Sequence, residues 1–302
     1  GLAKEKQYIS TLEDLIMYSK GYRLIRDRNQ PGMPRQYSIV GKTGETITSL
    51  SGTADIVKYD FGYEIDPVWE AGNKNIPGIY IEFKEPWLNP KGFEQIVYDV
   101  LANTQDMNII EKPEPEDTPF YINNGTINVG NTNGKVILQT FSLESLVRVA
   151  EVFQGKVPMC FLLWKGTGAT DLTYDDPLGY ASFINLGVKY KAHFIGPCIA
   201  GAPNDYPELD QPWQDYLIHR AKMKNHPYTF DTYDQMAKYF GQYNFGVADG
   251  MFNPPYLDAL FTNHSDMSIN YMITHGWRKS PASQTLVDAR EVLRKLGYLD
   301  NN

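Results

Sequence analysis

Glu82 and Lys84 stand two residues apart at the end of an apolar run, Gly78-Ile-Tyr-Ile-Glu-Phe-Lys-Glu-Pro-Trp87. Two residues is the repeat of a β-strand, so the carboxylate and the ammonium would share one face. A carboxylate offers a hard oxygen ligand to calcium or magnesium. An ammonium offers a compact positive charge to an anionic group. Side by side they also neutralise each other, and an ion pair is an equal reading. Other polar groups close apolar runs in the same way. Gln139 and Thr229 offer hydrogen bonds at strand ends, and His226 precedes Pro227 in Asn225-His-Pro-Tyr-Thr229. His226 either meets the mouth of a sheet or sits satisfied in the core, the commoner fate of such a histidine. Arg23, Arg26, Arg28 and Arg35 form a basic cluster among Pro and Gly. A solvated loop is its ordinary meaning.

Several chemistries have no residues to perform them. The sequence contains no Gly-x-Ser-x-Gly, no Walker A loop and no His-Glu-x-x-His. Gly166-Thr-Gly168 is too short a glycine motif for a nucleotide. Two cysteines, Cys160 and Cys198, exclude a disulfide scaffold and a cysteine-rich zinc site. Buried free thiols are the expectation, with a bridge between neighbouring strands as the alternative. The net charge of −8 over 302 residues leaves no basic footprint for nucleic acid. No apolar run reaches the length of a membrane span. Gly1-Leu-Ala-Lys-Glu-Lys6 lacks the apolar core of a signal peptide.

The elements that must position these groups alternate in type from residue 78 onward. Strands are expected at Ile79–Phe83, Val136–Phe141, Pro158–Trp164, Ala192–Ile199, Tyr228–Phe230 and Leu257–Thr262. Helical spacing covers Gly92–Leu101, Leu143–Phe153 with Ser142 as cap, and Trp213–Met223. A helix opens at Asp266, and Gln284–Leu296 is amphipathic. Residues 111–134 and 165–180 read as loops. Strands separated by crossing segments imply an α/β fold with a parallel sheet. Residues 1–76 differ. A helix over Thr11–Tyr18 is followed by candidate strands Tyr37–Val40, Thr46–Leu50 and Ile56–Tyr63, with nothing helical between them. The expected organisation is therefore a lead-in subdomain over 1–76 and six β/α units over 77–302.

Five segments resemble the periplasmic type of glycerophosphodiester phosphodiesterase, in that family's order. They are Gly78–Trp87, Val136-Ile-Leu-Gln-Thr-Phe141, Phe194-Ile-Gly-Pro197, Asn225-His-Pro-Tyr-Thr229 and Ala259-Leu-Phe-Thr-Asn263. Asn263 stands where the family has aspartate. The resemblance covers roughly residues 77 to 272 and implies a TIM-barrel-like fold of the phospholipase C-like phosphodiesterase kind. The six strands would be its third to eighth, and residues 1–76 would fall in its insertion. By resemblance Glu82 is a ligand of a catalytic calcium or magnesium, while Lys84 and His226 belong to the catalytic machinery. Gln139, Phe141 and Tyr228 would touch a glycerophosphodiester substrate, and the location would be periplasmic or secreted.

The family's His-Arg-Gly and Glu-x-Asp motifs have no counterpart in these residues. The histidines are His193, His219, His226, His264 and His275, and none precedes Glu82. Glu64-Ile-Asp66 has the form of the second motif, but only residues 67–81 separate it from Glu82, too few for the family's insertion. The expectation is an incomplete catalytic site, as in a fragment, one half of a split enzyme or an inactive relative. The alternative is a structural or interaction subunit without turnover. In either case the open edge at Ile79–Phe83 calls for cover, from Tyr37–Val40 and Ile56–Tyr63 or from a second polypeptide.

Overall fold

The computed structural model describes residues 10–25, 37–40, 46–47, 56–59, 62–65, 78–104, 110, 121–123, 126–128, 136–164, 174–242, 257–275 and 278. The chain divides into two compact units, Gly1–Pro77 with Ala282–Asn302, and Gly78–Pro281. The helix expected at Gln284–Leu296 lies outside the described residues.

In the first unit, helix α1 (Leu12–Ser19) begins where Thr11 and Asp14 cap each other reciprocally. The Asp14 amide donates to Thr11 Oγ1 at 3.1 Å, and the Thr11 amide donates to Asp14 Oδ2 at 2.8 Å. Strand β1 (Tyr22–Ile25) runs antiparallel to β5 (Gly62–Ile65). Strand β2 (Tyr37–Val40) lies between β3 (Thr46–Ile47) and β4 (Ile56–Tyr59), both antiparallel to it. The strand expected over Ile56–Tyr63 is thus two strands in two sheets. Arg23 belongs to β1, and Arg26, Arg28 and Arg35 lie outside the described residues. Tyr37–Val40 and Ile56–Tyr59, one of the two covers considered for the parallel edge, pair with each other among the described residues. Short links without a helical crossover favour that antiparallel pairing.

The second unit is an α/β fold on a parallel sheet. Its strands are β6 (Ile79–Glu82), β9 (Val136–Thr140), β10 (Met159–Leu163), β11 (Phe194–Pro197) and β12 (Lys224–Asn225), side by side in chain order. Between β6 and β9 lies a small hairpin of β7 (Tyr121–Asn123) and β8 (Thr126–Asn128), within the segment read as a loop. The crossovers carry α2 (Phe93–Asn103), α3 (Leu143–Phe153), α4 (Pro177–Lys189) and α5 (Pro212–Arg220). Helix α4 was not legible beforehand. Gly179 and Gly187 break its apolar rhythm, yet Asp176 caps it through bonds from the Leu178 and Gly179 amides.

Two expected strands take a different form. Tyr228–Phe230 meets the sheet only through an isolated bridge from Tyr228 to Cys198. Leu257–Thr262 is irregular, with a bend at Asp258. Its Asp258 and Ala259 amides both point at the Asn225 carbonyl, 3.1 and 3.3 Å away, which crowds two donors onto one acceptor. The segment still pairs with its neighbour. The Phe261 amide donates to the Pro227 carbonyl at 3.0 Å, and the Phe230 amide to the Phe261 carbonyl at 2.8 Å. Six consecutive segments therefore lie side by side.

The sheet curls until its two ends meet. The ring of Tyr80, on β6, lies 4.8 Å edge-on from that of Phe261, on the last segment. The concave face holds Cys160, Leu162 and Phe194, with Tyr80, Ile137, Phe141, Tyr228 and Phe261 packed around them. This is a TIM-barrel-like arc. The convex face packs on helices, where Phe161 stacks on Phe183 at 4.3 Å and Phe83 meets Phe93 and Phe153 edge-on. Full burial of such a side chain stabilises by roughly 1.5–3 kcal/mol.

A polar clamp ties the last segment to β12. Asp258 accepts from His219 Nε2 (2.8 Å), Lys224 Nζ (3.0 Å) and the Asn225 amide (2.8 Å). Asn225 Nδ2 in turn donates to Asp210 and Asp215. Burial opposes the charge on His219, but its bonds to Asp215 and Asp258 raise its pKa to about 9.

Gly196 makes the inner layer possible. A Cβ there would stand 2.7 Å from Leu162 Cδ2, 2.9 Å from Cys160 Sγ and 3.0 Å from the His226 carbonyl oxygen. The last is backbone and cannot rotate away. Gly196→Ala is expected to lower unfolding stability by roughly 1–3 kcal/mol in urea denaturation. An unchanged midpoint would show that the layer has slack.

Candidate functional site

Parity along β6 builds the mouth of the arc. Phe83 is buried on the convex side, so Tyr80 and Glu82 face the concave side. The chain beyond the strand is anchored by its neighbours. Thr140 Oγ1 donates to the Phe83 carbonyl at 2.8 Å, and Arg148 Nη1 to the Pro86 carbonyl at 3.2 Å. Lys84 Nζ then lies 2.9 Å from Glu82 Oε1. The carboxylate is mostly covered, at 22% exposure, whereas the ammonium side chain is 73% exposed. So open a pair contributes little to stability, about 0–1 kcal/mol. Its weight is in the charge it sets at the mouth.

Register supplies the next groups. Glu82 pairs with Gln139 across β6 and β9, and Phe141 follows two residues later on the same side. Tyr228 is held by its hydroxyl, which donates to the Leu163 carbonyl at 3.0 Å. Burial raises its pKa, and the neighbouring Cys198 adds to the shift. The Tyr228 ring meets Phe141 edge-on at 5.6 Å and Tyr206 at 6.0 Å. Trp164 extends the series, 5.8 Å from Tyr206.

Two cavities open among these residues. One, of about 340 Å³, is lined by Glu82, Lys84, Phe141, Trp164, Tyr206 and Tyr228, with Glu85 and Ser142 at its side. The other, of about 260 Å³, is lined chiefly by Gln139, Thr229, Phe261, Thr262 and Asn263. Glu82, Phe141 and Tyr228 border both. Asn263 is itself engaged, donating from Nδ2 to Asp231 Oδ2 at 3.0 Å. An aspartate at 263 would instead set two carboxylates against each other.

Glu82, Lys84, Gln139, Phe141 and Tyr228 are thus brought together. His226 is not: of the two places open to it in the sequence it takes the core, away from the mouth that a catalytic role by resemblance would need. It lies two residues before Tyr228 and so one layer deeper in the arc. It is 7% exposed, its ring stacks on Phe194 at 4.0 Å, and its Nδ1 lies 3.1 Å from the Tyr80 hydroxyl. Burial lowers its pKa to about 4. His226 is a neutral member of the floor and borders neither cavity.

Trp164 and Tyr206 went unrecognised in the sequence. Trp164 shares parity with Cys160 and Leu162, which was a usable signal. Tyr206 sits in the Pro-rich stretch 201–212, which has no periodicity to place it. The cysteines are free and buried. Cys160 pairs in register with Phe194, four residues before Cys198, which separates the two thiols along the strands. Burial pushes both thiols up to about 12, so they are unreactive.

The implied divalent cation does not fit the described residues. Calcium takes six to eight oxygen ligands and magnesium six. Among the described residues no group of three His, Cys, Asp or Glu could hold a metal ion. Glu82 brings a single carboxylate, already paired with Lys84.

No protein-family model matches the sequence, and no curated protein matches it. Among solved structures, the chain is similar to a Silicibacter pomeroyi DSS-3 protein provisionally named a glycerophosphoryl diester phosphodiesterase. Identity is 9% and the TM-score 0.42, over 75% of this chain and 61% of that one. This chain therefore spans less than two thirds of that protein's length.

The floor histidine has a measurable consequence. Folding lowers its pKa below the free value of 6.5, so between about pH 4 and 6.5 the unfolded chain binds the proton more readily. Stability should therefore fall as pH drops from about 6.5 to 4, and His226→Gln should flatten part of that limb. NMR titration should find the His226 ring neutral down to about pH 4. A midpoint near 6.5 would place it in solvent.

Proposed function

We propose that this chain is a glycerophosphodiester phosphodiesterase-like barrel protein whose mouth receives a glycerophosphodiester. One observation carries the reading. Five sequence segments resemble that family, and the polar or aromatic residues closing three of them, Glu82, Gln139, Phe141 and Tyr228, border the same space. In this reading Lys84 supplies positive charge to the phosphate, Gln139 and Thr229 hydrogen-bond the substrate, and Phe141 and Tyr228 wall it. Tyr80 and His226 form a rigid, neutral floor.

Binding does not require turnover. Hydrolysis of the diester needs a proton donor for the leaving alcohol, and general acid–base catalysis is worth roughly 10²–10⁴-fold. The buried, neutral His226 is poorly placed for that task. His-Arg-Gly does not occur in this sequence, and Glu64-Ile-Asp66 stands too near Glu82 to be the family's Glu-x-Asp. Calorimetry with glycerophosphocholine and a coupled assay with calcium or magnesium test the reading together. The expected result is saturable binding with turnover near the buffer rate. Robust turnover abolished by Glu82→Gln would overturn the incomplete site, and absence of binding would overturn the reading.

A second reading, a subunit that binds another chain, is favoured by the outer edge of Ile79–Glu82. Among the described residues no strand pairs with it. Unpaired strand groups invite another strand. Native mass spectrometry should then show a complex or oligomer, and a stable monomer with no bound apolar dye would argue against it.

A further inference from the structure

We infer that the larger cavity at the mouth is a cage for a quaternary ammonium headgroup, which would make choline diesters the preferred ligands. The inference rests on the function proposed above and names its substrate class. Four aromatic rings follow one another around the cavity: Trp164, Tyr206, Tyr228 and Phe141. Successive centroids are 5.8, 6.0 and 5.6 Å apart, with planes inclined at 60°, 62° and 88°. None of the three pairs stacks flat, and all four rings line the one cavity. The negative faces of such rings attract a cation, and a desolvated site strengthens the attraction.

The charges at the cavity point the same way. Glu82 and Glu85 contribute two negative charges and Lys84 one positive, a balance of −1. Lys84 is the most exposed of the ion pair and is hooked back onto Glu82, so the positive charge lies at the rim. A dianionic phosphate monoester would meet net repulsion here, whereas a cation would not. A primary ammonium must also replace up to three hydrogen bonds to water on entering. Glu82 is already paired with Lys84, and the aromatic walls offer few acceptors besides Glu85. A trimethylammonium group has no N–H to satisfy, and apolar contact suits its methyl groups.

The adjoining cavity complements this one. Gln139, Thr229 and Thr262 offer amide and hydroxyl groups suited to the glycerol hydroxyls. Glu82, Phe141 and Tyr228 border both spaces, so one zwitterionic diester could lie across them with its cation on the aromatic side.

Calorimetry with four probes tests the cage apart from the broader function: tetramethylammonium, glycerophosphocholine, glycerophosphoethanolamine and glycerophosphoglycerol. The expected result is glycerophosphocholine binding about tenfold tighter than the other two diesters, with measurable binding of tetramethylammonium alone. Trp164→Leu, at a site 43% exposed where folding should tolerate it, should weaken glycerophosphocholine about tenfold more than glycerophosphoglycerol. Tyr206→Phe should keep the preference and Tyr206→Leu should reduce it. Equal affinity for the three diesters would overturn the cage and leave the glycerophosphodiester reading standing. Trp164-dependent binding of tetramethylammonium without binding of any diester would support the cage and overturn that reading. Binding of none of the four would overturn both.

Discussion

The contact of Tyr80 with Phe261 closes the concave side of the parallel sheet, and the mouth depends on that closure. It joins the first strand of the arc to its last segment, 4.8 Å ring to ring, across a layer of Cys160, Leu162 and Phe194. A flatter sheet would hold the same residues on the same strands and leave Glu82 far from Tyr228. The curl is allowed because Gly196 leaves room for its neighbours, and it is filled because His226 lies flat on Phe194. A packed, uncharged floor then supports a mouth that is partly open to water.

The separation of charge follows from this layering. Deep in the arc the titratable groups are neutral. Burial lowers the pKa of His226 and raises that of Tyr80, where the nearby Cys160 adds to the shift. Charges lie outside this floor: Glu82 and Lys84 pair at the rim, and Asp258 with His219 and Lys224 forms the polar clamp. The clamp has a structural role. It secures a segment whose own ladder is irregular, because two amides converge on the Asn225 carbonyl. Apolar contact and ion pairing thus hold the two sides of the same segment.

Aromatic residues are partitioned by depth as well. Phe161, Phe183, Phe83 and Phe153 are fully or almost fully buried among the helices and have no polar group to satisfy. Tyrosines and a tryptophan gather at the mouth, where one part of the ring is packed and another is wet. Tyr228 shows how this works, with its hydroxyl spent on the Leu163 carbonyl and its ring left as a wall. Recognition at such a site would be through ring faces and one carboxylate more than through a network of side-chain donors.

Local rules account for what could be read from the sequence. Short apolar runs located the strands that carry Glu82, Gln139 and Cys160, and Ser142 marked the start of its helix through a bond from the Ser145 amide. Parity alone put Glu82 and Tyr80 on one face, because successive side chains of a strand must alternate. The sequence did not disclose the helix Pro177–Lys189, whose glycines hide its rhythm. Nor did it disclose the depth of His226, which depends on how far along its strand the floor ends. Tyr206 enters the mouth from a loop without periodicity. Local sequence determined which residues were apolar, capped or charged and which side of a strand they share. The tertiary structure decided which strands curl together and which side chains then face one another, because those contacts join residues far apart in the chain and leave no periodic trace in it.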